Sequence, residues 1–152
     1  MRESGWTTKP MRAVLRLYKP PRAVHAPQDQ VSTLGIRWYG LGLFAKPGRR
    51  SDIKGESYYQ LKPGTLVYSK LFAWKQSFGV VTDEFAHLIA SNEFPQFDVD
   101  RELATPEYLA LYCSSPSFAQ EALMKSDGAT AVSRNRLRIP DFLALLTYLW
   151  VV

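Results

Sequence analysis

The sequence predicts an α+β domain, a twisted mixed or antiparallel sheet with a few short helices packed on it, and three observations lead there. As far as Val99, short apolar runs alternate with Pro, Gly and Asn punctuation, the pattern of strands and turns. Beyond Ala104 the apolar spacing lengthens to that of helices, introduced twice by a hydroxyl residue followed by proline. A chain of 152 residues that is 46% hydrophobic is long enough to bury one real core. No internal repeat or linker divides it, so we expect an irregular N-terminal segment over residues 1–10, one domain over 11–143 and an apolar C-terminal tail over 144–152.

Taken in order, residues 1–10 are polar and carry no pattern of an ordered element. Met11–Tyr18 mixes apolar and basic residues and suits either a strand or a short helix. Lys19-Pro-Pro-Arg22 ends it, because two prolines remove two backbone donors and restrict the residues before them. A surface connection runs through Pro27 and Asp29. In Val31–Phe44, Leu34 and Ile36 belong to a strand and Gly40-Leu-Gly42 opens a turn; no GxGxxG sequence follows, which excludes a dinucleotide loop. Lys46-Pro-Gly-Arg-Arg50 reads as a solvated loop.

Lys62-Pro-Gly-Thr65 is a turn, proline presetting its first dihedral and glycine accepting its second. Leu66–Leu71 and Phe78–Val81 follow as two strands flanking Phe72-Ala-Trp-Lys-Gln-Ser77. Further strands are expected at Ile89-Ala-Ser91 and Gln96–Val99, either side of Asn92-Glu-Phe-Pro95. Thr105-Pro106-Glu107 starts a helix with a hydroxyl cap, a proline whose missing donor costs nothing and an acid at the positive helix end. Ser115-Pro116 starts a second helix, which stops before Asp127-Gly128.

A net charge of +5 favours a polyanionic partner. Cys113, the single cysteine, excludes an internal disulfide and a cysteine-based metal cluster, and agrees with a reducing compartment. No secretory signal opens the chain, and the apolar run 142–152 is shorter than the roughly 20 residues a membrane helix needs. We expect a cytoplasmic protein without membrane association. His25 and His87 lack the spacing of a zinc site. Asp98, Asp100 and Glu102 have the types to hold Mg²⁺ but equally mark a strand end. Cys113 falls within a helical apolar face, and no Ser or Thr has a recognisable base, so we expect no enzyme and no cofactor of its own.

Cations and rings occur together in three stretches. Arg37-Trp-Tyr39 is one; Lys70 with Trp74 and Lys75 is another. A ring face beside cations suits phosphate, sugar and base edges, although Phe72, Trp74 and Phe78 equally suit a core. The third is Ser133–Arg138: if extended, Arg134, Arg136 and Arg138 share one face at intervals of about 6.6 Å while Leu137 and Ile139 turn inward. If it is a mobile loop, its arginines are solvated.

The ordered set Gly35-Ile-Arg-Trp-Tyr-Gly40 with Gly42-Leu-Phe44, Tyr59 and Lys62-Pro-Gly64, Tyr68 with Lys70-Leu-Phe-Ala-Trp-Lys75, Ser91-Asn-Glu-Phe-Pro95 and Pro106-Glu-Tyr-Leu109 resembles the target recognition domain of type I restriction-modification specificity subunits. The resemblance continues through Ser115-Pro116, Gly128 and Arg134–Arg138 to Pro140-Asp-Phe-Leu143. It implies a non-catalytic module that reads one half of a bipartite site in double-stranded DNA. It further implies assembly with a methyltransferase subunit, which binds S-adenosylmethionine, and with a restriction subunit. The DNA-binding residues it favours are Arg37, Tyr39, Lys70, Trp74, Lys75, Arg134, Arg136 and Arg138. In that family a proline-rich joint and a long spacer helix follow the recognition domain, whereas here Ala-Leu-Leu-Thr-Tyr-Leu-Trp-Val-Val152 follows Leu143. That departure raises the alternative of a protein-interaction module or a truncated remnant that pairs with another chain, such as a second recognition chain, through this tail.

Overall fold

Strand propensity and turn chemistry build most of the molecule, and among the described residues α-helices occur only from Pro106 onward, earlier helical structure being single short turns. The computed structural model describes residues 5–126 and 135–151. In chain order its strands and helices are β1 (Gly5–Pro10), β2 (Leu15–Tyr18), β3 (Arg22–Ala23), β4 (Gln30–Ile36), β5 (Leu43–Arg49), β6 (Tyr58–Gln60), β7 (Leu66–Tyr68), β8 (Phe78–Val80), β9 (Ile89–Ala90), β10 (Gln96–Val99), α1 (Pro106–Cys113), α2 (Pro116–Lys125), α3 (Ile139–Ala144) and β11 (Leu146–Val151). The strands form an antiparallel sheet in the order β2-β10-β7-β8, a mixed sheet in the order β3-β6-β9-β4-β5, and a two-stranded ribbon of β1 with β11. Only β4 and β9 run parallel among the paired strands described. The α+β class with a mixed sheet and short helices is therefore correct, with the sheet divided into three.

The reason for the division lies in β7. Leu66, Val67 and Tyr68 are all fully buried, an unbroken apolar run that fits a strand covered on both faces. Leu66 and Tyr68 enter the larger core with Phe78, Phe97, Leu109, Phe118 and Phe142. Val67 points the other way, into a second core with Leu34, Ile36, Leu43 and Leu88. Helices close the first core and the mixed sheet closes the second. Gln96 crosses between the sheets: buried, it accepts from the Lys62 amide at 2.8 Å and donates to the Gln60 carbonyl at 3.0 Å, which satisfies a polar group that would otherwise destabilise the interior.

Local signals act where expected. Thr105 Oγ1 accepts from the Tyr108 amide at 3.1 Å and Ser115 Oγ from the Phe118 amide at 3.3 Å, so both tandem helices carry their caps, each worth about 1 kcal/mol. Gly64 has φ +89, the dihedral that the Lys62-Pro-Gly turn requires. Gly35 pairs with Phe44 across β4 and β5, and a Cβ at Gly35 would lie 2.3 Å from the Phe44 ring; the bare backbone makes room for that ring.

Three expectations need correction. Residues 1–10 are not irregular throughout, because Gly5–Pro10 pairs along its length with Leu146–Val151; the partner strand is remote in sequence, and Trp6, Thr7 and Thr8 supply strand propensity without apolar alternation. The tail accordingly is a strand, with Thr147 and Leu149 buried and Tyr148 and Trp150 exposed. Lys46–Arg49 is not a loop but part of β5, paired with β4. Pro47 is tolerated there because β5 is the edge of its sheet, where a missing donor breaks no ladder. The helix α3 had no counterpart among the expected elements.

Candidate functional site

The segment 72–77 that joins β7 to β8 folds into a tight helical turn at Ala73–Lys75. Ala73 is buried beneath it, which leaves Trp74 and Lys75 half-buried above it. The loop between β4 and β5 makes a similar turn at Trp38–Gly40. The two turns meet: the Gly40 amide donates to the Gln76 carbonyl at 2.9 Å, and Gln76 Nε2 donates to the Ser114 carbonyl at the end of α1 at 2.6 Å. Tyr39 and Gln76 both adopt φ 63, a left-handed conformation that costs about 1–3 kcal/mol in a non-glycine residue and persists only where surrounding contacts impose it.

Lys75 is the centre of this junction. Its Nζ lies 4.8 Å from the Trp74 ring centroid, 5.1 Å from Trp38 and 6.0 Å from Tyr39. Three ring faces hold the ammonium in place by attraction to their quadrupoles while leaving its charge unneutralised. Trp38 also packs at 5.3 Å against Phe72. Of the aromatics with an open choice between core and surface, Phe78 is core, whereas Phe72 and Trp74 are partly exposed.

The remaining expected residues distribute as follows. Tyr39 is exposed. Arg37 is exposed but turned onto its own hairpin, Nη1 donating to the Leu43 carbonyl at 2.8 Å and the guanidinium lying 4.8 Å from the Phe44 ring. Trp74 Nε1 donates to the Leu71 carbonyl at 3.0 Å, so its face and not its N–H is on offer. Lys70 is bound on both sides through its backbone, its N–H to Glu93 and its C=O to Leu137. Arg136 is half-exposed and paired with Glu93 at 3.0 Å, while Leu137 beside it is fully buried. Alternation therefore holds at these two positions. Arg138 is exposed and immediately precedes α3, so Ile139 starts a helix and does not continue a strand. Arg134 lies outside the described residues.

Of the expected residues, Arg136 and Lys70 border two adjoining depressions, and Trp38 brings the Lys75 junction to the edge of one of them. A groove of about 360 Å³ between the β4–β5 hairpin and the segment 69–72 is lined by Trp38, Phe44, Lys46, Phe72, Phe94, Glu93 and Arg136, among others. It adjoins a hollow of about 260 Å³ bordered by Lys70, Tyr18 and Tyr59, the two sharing Ser91 and Phe94. Sequence reasoning misses Lys46, whose proline and glycine neighbours suggest a solvated loop, and Glu93, whose partner is remote in the chain. Alternation from Phe44 to Lys46 is the signal that places Lys46 on the same face as that ring, and its Nζ lies 5.6 Å from it.

The alternative chemistry is engaged elsewhere. Asp98 accepts from Lys62 Nζ at 2.8 Å, and that hydrogen bond raises the Lys62 pKa. Asp100 Oδ1 accepts from the Glu102 amide at 3.0 Å. Cys113 is fully buried, which pushes its thiol well above its ordinary pKa and away from the reactive thiolate. Among the described residues no three of His, Cys, Asp and Glu group so as to hold a metal ion, although His25 and His87 border one shallow hollow. No described helix is long and apolar enough to cross a membrane.

No protein-family model matches the sequence, and no curated protein matches it. Solved structures do. The HsdS subunit from Thermoanaerobacter tengcongensis superposes with a TM-score of 0.71 at 16% identity, covering 95% of this chain and 38% of that one. A chain from a structure describing complex assembly and conformational transition of the type I R-M system matches with the same TM-score, identity and coverage. This chain thus spans well under half the length of each. At that level of identity the likeness concerns the fold, and it agrees with the resemblance carried by the sequence motifs: the chain has the fold of a part of an HsdS subunit.

Proposed function

We propose that this chain recognises double-stranded DNA in a sequence-specific manner, reading one half of a bipartite target as a specificity subunit, or part of one, in a type I restriction-modification system. The observation that carries the reading is the gathering of Lys75, Trp38, Tyr39 and Trp74 beside the groove that Lys46 and Arg136 border. Cations with exposed rings offer phosphate attraction and flat surfaces for sugar and base edges. The chain itself is non-catalytic. S-adenosylmethionine and base methylation belong to a partner methyltransferase subunit, and cleavage belongs to a restriction subunit.

Selection from randomised duplexes on the purified chain, with and without a methyltransferase subunit, tests this. Enrichment of a short asymmetric motif is expected, with affinity that falls steeply as salt rises because released counterions contribute much of the binding free energy. Equal recovery of all sequences, or binding indifferent to salt, defeats the reading. A second reading, docking of another protein chain, is favoured by a different observation: Trp6, Tyr148 and Trp150 lie exposed on the β1–β11 ribbon, with Trp6 and Trp150 in edge contact at 5.5 Å. Co-purification of a partner that Trp150→Ser releases, with no retardation of duplex DNA, selects it.

A further inference from the structure

The geometry points to Arg136 as a side chain that reads a guanine, with Glu93 as the residue that positions it; the inference rests on the DNA-recognition reading above. Arg136 donates through Nε alone, at 3.0 and 3.2 Å to the two Glu93 carboxylate oxygens. A guanidinium carries five N–H donors in a planar fork. Among the described residues neither Nη nitrogen of Arg136 makes a hydrogen bond, so the terminal donors are held ready and unused.

The backbone that carries this fork is anchored at the next residue, Leu137. The Leu137 side chain is fully buried, its N–H donates to the Lys70 carbonyl at 2.8 Å, and its C=O accepts from the buried Tyr68 hydroxyl at 2.8 Å. With the main chain tied to the core and Nε tied to Glu93, the side chain has surrendered much of the rotamer freedom that binding would otherwise take from it.

The carboxylate also decides which part of DNA Arg136 suits. A negative charge about 3 Å from the guanidinium offsets the attraction for phosphate but leaves the directional donors intact. Such an arginine gains little from the backbone of DNA. It matches the paired acceptors O6 and N7 that guanine presents in the major groove, the pattern that a bidentate arginine distinguishes from the other bases. Lys75 is the opposite case. Rings, not a carboxylate, surround its ammonium, so it keeps its whole charge and suits phosphate. The two cations divide the work, Lys75 adding affinity and Arg136 selectivity.

The test uses the full chain. After the preferred motif is selected, binding of that duplex and of its single-base variants is measured by fluorescence anisotropy across a salt series for the unmodified chain, Arg136→Lys, Glu93→Ala and Lys75→Met. Arg136 and Glu93 are both partly exposed, at 49% and 36% of their side-chain surface, so the fold tolerates these changes. We expect Arg136→Lys to lose about 10- to 100-fold discrimination at one G·C pair with the salt slope nearly unchanged. Glu93→Ala relaxes the same position while tightening binding to unselected duplexes, since it removes a negative charge. Lys75→Met weakens all sequences alike and lowers the slope by about one. Arg136→Lys selecting the unmodified motif, or weakening every sequence equally, overturns the assignment while leaving DNA recognition standing. An unmodified chain that selects no sequence overturns both.

Discussion

Two aromatic clusters, centred on Tyr68 and on Lys75 close by in the sequence, have opposite fates. Around Tyr68 the rings of Phe78, Phe97 and Phe142 stand 5.1, 6.0 and 4.7 Å away, all buried and with the one hydroxyl satisfied by Leu137. Burial raises the Tyr68 phenol well above its ordinary pKa, which keeps it a donor into the alkaline range. Around Lys75 the rings of Trp38, Tyr39 and Trp74 remain partly or fully open and enclose a charge. Ring content alone does not separate a core from a surface site. What separates them is the backbone path: a flat strand buries Tyr68 between sheet and helices, and a tight turn lifts Trp74 and Lys75 away from it.

If that contrast is correct, substitutions in the two clusters must affect different measurements. The largest effect is expected from Phe142→Ala, which removes a ring touching four others in the closed cluster and should lower unfolding stability by about 3–5 kcal/mol in denaturant titration. A loss below about 1 kcal/mol would mean that this core is loosely packed. Tyr68→Phe preserves the ring and deletes one hydroxyl, leaving the Leu137 carbonyl without that donor; about 1–3 kcal/mol should be lost. Because Leu137 adjoins Arg136, this variant should also blunt sequence discrimination, an effect that joins the clusters. Smallest in stability is Lys75→Met, expected to change unfolding by less than about 1 kcal/mol even as it weakens DNA binding. A large stability loss there would make the open cluster a piece of core.

Legibility followed the range of the interactions. The caps at Thr105 and Ser115 and the Lys62-Pro-Gly turn were readable because the hydrogen bonds that define them, such as that from the Thr65 amide to the Lys62 carbonyl, span a few residues. The ribbon was not, since Gly5–Pro10 finds its partner at the far end of the chain. The same distinction governs the site. Arg37-Trp-Tyr39 and Lys70 to Lys75 announced themselves as cations beside rings, yet nothing local says that Arg37 folds back on Leu43 and Phe44 while Trp38 turns to Lys75.

By itself the order of residues determined the α+β class, the two capped helices, the strands on either side of the central turn and the types of side chain available for binding. Tertiary structure decided which of them meet. The Glu93 to Arg136 ion pair, the seat of Lys75 among rings from two loops and the division of the strands into separate sheets all join segments distant in sequence. Such pairings depend on how whole elements pack, because the hydrophobic effect that drives burial has no direction and leaves the choice of neighbour to shape.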